Sequence, residues 1–163
     1  MIDPAEIQER GEALRRLAQS LEGKPVAWGP DGDDCSQLPL QWVVGWRERM
    51  TGIAPDVDGP DYSTKEEAEA VIAAAGGLVQ VWEPICRQLG LVPLGPSDIP
   101  VVGDVGVFKT SFGDVGGIFV HGGAILWRHE RGWRIIDVVG RSLAVHGKAG
   151  WSFPTAITKA WRL

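Results

Sequence analysis

At 163 residues, with 44% hydrophobic and 23% charged side chains, the chain has the size and composition of one globular domain with a core of its own, which excludes a disordered or fibrous protein. Its formal charge of −5 argues against bulk binding of nucleic acid or of an anionic membrane surface. No apolar run reaches about 18 residues and no basic segment leads an apolar run at the N-terminus, so neither membrane insertion nor a secretory signal is expected.

Residues 3 to 22 read as an amphipathic helix. Asp3 is placed to cap it, Pro4 takes the first helical position, and Glu6 completes a capping-box spacing. Ile7, Leu14, Leu17, Ala18 and Leu21 form an apolar stripe, and Gly23 supplies the stop. We read 1–23 as an N-terminal helical unit, either a lid on the core or an arm for a partner, and 24–163 as the main domain. A loop with Pro25, Gly29, Pro30 and Gly32 leads to Asp33-Asp34-Cys35-Ser36-Gln37. The next helix covers about Asp34 to Met50 and closes on Gly52. Pro39 admits a second start at Leu38, which places the proline favourably in the first turn and leaves Cys35 outside the helix.

Residues 53–62 form a loop rich in proline and aspartate. Ser63 or Thr64 caps a helix ending at Gly76-Gly77, and a short helix runs from Val79 to Leu89 across Pro84. An extended connector spans Pro93 to Pro100. Beyond it the pattern turns to β: Val101–Lys109, Val115–His121, Ala124–Arg128 and Trp133–Val139, with turn signals at Gly122-Gly123 and Glu130-Arg131-Gly132. Ser142–Val145 is a weaker strand, followed by a tail from Ala156. Helices first and an antiparallel meander after them define an α+β domain.

Cys35 is the candidate nucleophile, because a cysteine at a helix N-terminus is a common way to stabilise a thiolate. Asp31, Asp33 and Asp34 oppose that role by raising a neighbouring thiol pKa, and no Lys or Arg occurs between Lys24 and Arg47. The alternative is that Cys35 is a small buried hydrophobe, and Cys86, within an apolar helix, is read as core. Two cysteines make no disulfide framework. The acidic loop lacks calcium-loop spacing, the His and Cys residues lack zinc spacing, and the glycines after residue 102 lack the dinucleotide pattern, so no metal or cofactor is expected. Arg128, Arg131, Arg134 and Arg141 form a modest basic strip, read as a solvated face or as a contact for an acidic partner. Most of the eight tryptophans are read as core, and the remainder as contact surface.

Several features then recur in a known order. Asp33-Asp34-Cys35-Ser36 heads a helix ending in Thr51-Gly52, and a segment runs from Tyr62 through a helix to Gly77. Gly103-Asp104-Val105-Gly106-Val107-Phe108 and Gly116-Gly117-Ile118-Phe119-Val120 follow, and Ala160-Trp161-Arg162 closes the chain. Over residues 26–163 this resembles the NlpC/P60 branch of papain-like cysteine peptidases, and more closely its compact relatives among phage tail and gene-transfer-agent proteins. The resemblance implies a cysteine-headed helix packed on a small antiparallel sheet, with Cys35 in the nucleophile position. The general-base position falls on Val115, where active members carry histidine. His121, six residues on and about 20 Å along an extended strand, is the candidate base left on that face. His129 and His146 reach the site only through a different topology, and the third triad position has no counterpart.

The resemblance further implies a virion tail protein that folds in the host cytoplasm and has other phage tail proteins as partners. It leaves two roles open: a degenerate domain used in tail-tip assembly, or an active peptidase or amidase that cuts peptidoglycan stems during genome entry with Cys35 and His121.

Overall fold

The computed structural model describes residues 1–110, 113–120, 124–136 and 157–163. Helices α1 (Pro4–Leu21), α2 (Leu38–Thr51), α3 (Lys65–Ala75) and α4 (Leu78–Gln88) precede every described strand. Asp3 caps α1 by accepting from the Ala5 amide at 2.9 Å. Glu6 does not complete the expected box: its carboxylate takes the Arg10 guanidinium at 2.6 Å, because a charged donor one turn on outcompetes a backbone amide. The reciprocal cap appears at α3 instead, where Thr64 accepts from the Glu67 amide and Glu67 reaches back to the Ser63 amide. α2 takes the second of the two starts read from the sequence. Pro39 lies in the first turn, where its missing N–H costs no helical bond. Gly52, in left-handed conformation at φ +79°, closes the helix. α4 runs through Pro84 and keeps its helical course while burying Leu78, Trp82, Ile85 and Cys86.

Strands β1 (Val92–Pro93), β2 (Val105–Thr110), β3 (Gly113–Phe119), β4 (Ile125–His129), β5 (Gly132–Ile136) and β6 (Ile157–Arg162) form one sheet in the order β1-β6-β2-β3-β4-β5. Every pairing among them is antiparallel, so the domain is α+β. The β2-to-β5 meander follows the sequence reading, with Glu130-Arg131 turning between β4 and β5. Several boundaries differ, two of them substantially. β2 starts at Val105 rather than Val101, because residues 101–104 form a turn in which the Asp104 amide bonds the Val101 carbonyl. The tail is a sixth strand, inserted between β1 and β2 with Val105 opposite Trp161. Gly122-Gly123 and Ser142–Val145 lie outside the described residues.

One face of the sheet joins the helices in the main core, where Val107, Ile118, Leu126 and Trp161 meet Leu14 and Leu21 of α1, Val43 and Trp46 of α2, and Trp82 of α4. α1 therefore shares the core of the remaining chain. On the other face Phe108, Val115, Phe119, Ile125, Ile157 and Ala160 cluster, with Leu94, Trp127 and Cys35 against them.

A fully buried carboxylate fastens these layers. Asp104 accepts from the Val101 amide at 2.9 Å, the Leu163 amide at 3.1 Å and Arg162 Nε at 3.2 Å, with the Arg10 guanidinium at 4.0 Å. The preceding Gly103 carbonyl takes the Trp42 indole N–H at 2.9 Å. Gly103 has φ +92°, and a Cβ there would lie 3.0 Å from Arg10 and 3.3 Å from Trp42, so glycine suits both the backbone and the space.

Burial pushes the Asp104 carboxyl above its ordinary value, and this outweighs the downward pull of the amides and Arg162. A carboxyl raised in the folded state contributes most below its unfolded pKa, and the contribution is lost as pH rises through the folded value. Urea unfolding between roughly pH 3 and 7 should therefore show wild type losing stability relative to Asp104→Asn as pH rises. A difference that stays flat, or grows with pH, would contradict this assignment.

Candidate functional site

The site is the turn 34–37 that feeds α2. Asp34 is fully buried. Its Oδ1 accepts from the Ser36 amide at 3.0 Å, the Ser36 hydroxyl at 2.6 Å and the Gln37 amide at 3.2 Å. The Tyr62 hydroxyl donates to its other oxygen at 3.1 Å, and burial foremost pushes that phenol up to about 12. The Asp34 carbonyl meanwhile receives the amides of Gln37 and Leu38. Asp34 thus closes the turn ahead of α2, its side chain taking the Ser36 and Gln37 amides and its carbonyl the Leu38 amide, while Gln37 at the N-cap makes no side-chain cap bond.

Cys35 is half-buried. Its thiol is pushed up to about 11, first by burial and then by the Asp34 carboxylate. Its own backbone amide, Lys65 and the Gly116 amide pull the other way without restoring an ordinary value. At neutral pH such a group is a protonated thiol and a poor nucleophile. Cys86 is buried in α4 and pushed up to about 12, chiefly by burial and then by Glu83.

One contact holds the loop that leads into this turn, and two hold the turn itself. Arg128 of β4, 3% exposed, donates to the carbonyls of Lys24 at 2.9 Å, Pro25 at 3.0 Å, His129 at 3.0 Å and Gly132 at 2.7 Å, and reaches Asp33 Oδ2 at 3.4 Å. The Trp82 indole donates to the Ser36 carbonyl at 3.1 Å. Gly116 of β3 lets the strand meet the turn backbone to backbone: a Cβ there would stand 2.6 Å from the Cys35 carbonyl and run into the Trp82 ring.

The acidic trio read from the sequence is divided by the fold. Asp34 is the carboxylate that acts on Cys35, Asp33 turns to Arg128 and to the Ala27 amide, and Asp31 is exposed. Lys65, remote in sequence, supplies a partly offsetting positive charge. Val115 belongs to the apolar cluster against which Cys35 also packs. His129 ends β4 with its ring edge-on to Trp127, centroids 5.6 Å apart. His121 and His146 lie outside the described residues. Arg128 is a buried clamp and not part of a solvated strip, whereas Arg131 and Arg134 are exposed. Sequence reasoning missed Arg128, Tyr62 and Trp82 as supports of the turn. The one available signal was an arginine sharing a strand face with Leu126. Among the described residues, no group of three or more His, Cys, Asp or Glu side chains is arranged to hold a metal ion, and no helix is long and apolar enough to cross a membrane.

A family model described as a domain of unknown function, DUF6950, matches residues 6–163; the chain belongs to that family. The match takes in α1 together with the rest of the domain. No curated protein and no solved structure matches the chain.

Alkylation of the native protein by iodoacetamide should be slow at Cys35 between about pH 7 and 9 and still be accelerating toward pH 11, while Cys86 labels only after unfolding. Labelling of Cys35 at neutral pH as fast as that of a free cysteine would refute the desolvated-thiol assignment. Gly116→Ala forces β3 and the Cys35 turn apart and is expected to cost about 1–3 kcal/mol, read as a lowered denaturant midpoint at unchanged slope.

Proposed function

We propose that this member of the DUF6950 family is an assembly component of a phage tail tip or hub, built on an NlpC/P60-like domain that does not act as a peptidase. The tail placement rests on the ordered resemblance alone. The observation that carries the non-enzymatic half is the state of Cys35. Burial of the thiol and then the Asp34 carboxylate hold it protonated, and the Ser36 and Gln37 amides just ahead of α2 go to Asp34. Valine at the base position supports the same reading.

A cysteine peptidase needs the reverse arrangement, in which an imidazole or another cation draws the thiol pKa down into the neutral range. Here the cation that does act on Cys35, Lys65, is outweighed. Side chains suited to contacts with neighbouring tail proteins are also present. Trp28, Trp127 and Trp133 are half-buried, and Met50 and Ile53 at the end of α2 are 56% and 74% exposed.

Purified wild type and Cys35→Ala, incubated with peptidoglycan fragments, should both leave the peptide stems intact. Phage deprived of the protein should accumulate incomplete tails. Stem cleavage by wild type that Cys35→Ala abolishes would replace this reading with the peptidase one, and complete tails formed without the protein would remove the assembly role.

A further inference from the structure

We propose that the outer face of α2 joins a second copy of the chain across a two-fold axis, with Ile53 of each copy seated in a pocket of the other. The pocket, about 80 Å³, lies between the N-terminal half of α2, the loop 57–60 and α4, and Leu40, Val44, Val57, Ile85 and Leu89 give it an apolar lining. Ile53 is the knob that suits it. It is 74% exposed and stands just past the other end of the same helix. Gly52, at φ +79°, turns the chain there. The Thr51 hydroxyl then fixes the turn, donating to the Arg47 carbonyl at 2.8 Å and accepting from the Ile53 amide at 3.3 Å. An apolar side chain held on so firm a turn loses little freedom when it docks.

Between pocket and knob lie two charges of opposite sign. The side chains of Arg47 and Glu48 have neither an ion pair nor a hydrogen bond among the described residues. Arg47 is half-buried, and its Nε is shut off from solvent without an acceptor, a state that costs free energy until one arrives. As neighbours on one helix the two side chains point about 100° apart and do not face each other. Arg49, one residue on, is by contrast engaged with Glu9 at 3.3 Å and with the face of Trp46.

One register satisfies both features. When two copies of α2 lie antiparallel with Arg47 of each opposite Glu48 of the other, Val44 falls opposite Thr51. The pocket around Val44 then meets Ile53 of the second copy, about 10 Å along the helix from the charges' own side of the axis. A two-fold contact requires a single patch that contains both members of every complementary pair. This patch holds socket and knob, cation and anion, on one helix. The contact does not depend on the tail placement.

Sedimentation velocity on the full chain tests this. Wild type should pass from monomer to dimer as its concentration rises through the micromolar range. Ile53→Asp, at an exposed position that the fold does not need, should weaken the dimer at least about tenfold. Arg47→Glu and Glu48→Arg each set like charges face to face and should weaken it by a similar factor. The chain carrying both reversals restores opposite charges across the axis and should regain the wild-type dimer. Wild type that stays monomeric up to about 1 mM, a dimer indifferent to Ile53→Asp, or a double variant no tighter than either single one would overturn the proposal. So would growth beyond a dimer, which a two-fold contact forbids.

Discussion

The carboxylate of Asp104 is the constraint to which both ends of the chain respond. Taking such a charge out of water is tolerable only where donors surround it, and here they come from separate parts of the sequence: Arg10 of α1, the Val101 amide before β2, and Arg162 with the Leu163 amide at the end of β6. The consequence is topological. β6 must run beside β2 to deliver its terminal residues to Asp104, so the end of the sequence lies inside the sheet, between β1 and β2. The adjoining Gly103 carbonyl extends the same junction to α2 through the Trp42 indole.

Asp34 is the second fully buried carboxylate, and it is satisfied differently. Two amides and two hydroxyls approach it, and the turn they close starts α2. Neutral donors fix direction well, but they leave the negative charge in place to act on its neighbours. One neighbour it acts on is Cys35, already poorly solvated, and both effects favour the protonated thiol. Arg128, a buried cation whose guanidinium reaches the adjacent Asp33, is committed to four carbonyls and to that carboxylate.

What could be read from the sequence follows from how local each cause is. Capping residues, Gly52 and Gly76, and the apolar stripe of α1 act within a few positions, so the helices were legible, as was the glycine-punctuated meander. The choice between starts for α2 was not, because a proline near a cap fits either until the turn around Asp34 is seen. β6 escaped notice because its buried positions, Ile157, Ala160 and Trp161, do not alternate, and its pairing with β2 shifts register between Val107 and Phe108. At the site, the acid beside Cys35 could be read directly. Burial, the larger cause of its raised pKa, could not, nor could Lys65 or the Arg128 clamp, whose partners lie about a hundred positions away.

Architecture and reactivity compete at this turn, and the competition favours a protonated Cys35. A thiolate at the helix mouth would need the amides that Asp34 holds and a cation in place of its charge. Removing the Asp34 carboxylate to provide them would strand the Ser36 and Gln37 amides and the Ser36 and Tyr62 hydroxyls in a buried position, a loss of roughly 1–3 kcal/mol for each group left unsatisfied. Moving the turn outward to rehydrate the thiol would break the seat on Gly116 and the Trp82 bond to Ser36. The side chains that make the turn a firm entry to α2 are therefore those that keep its cysteine protonated, and drawing the thiol pKa down would require rebuilding the turn, the seat and the local charge together.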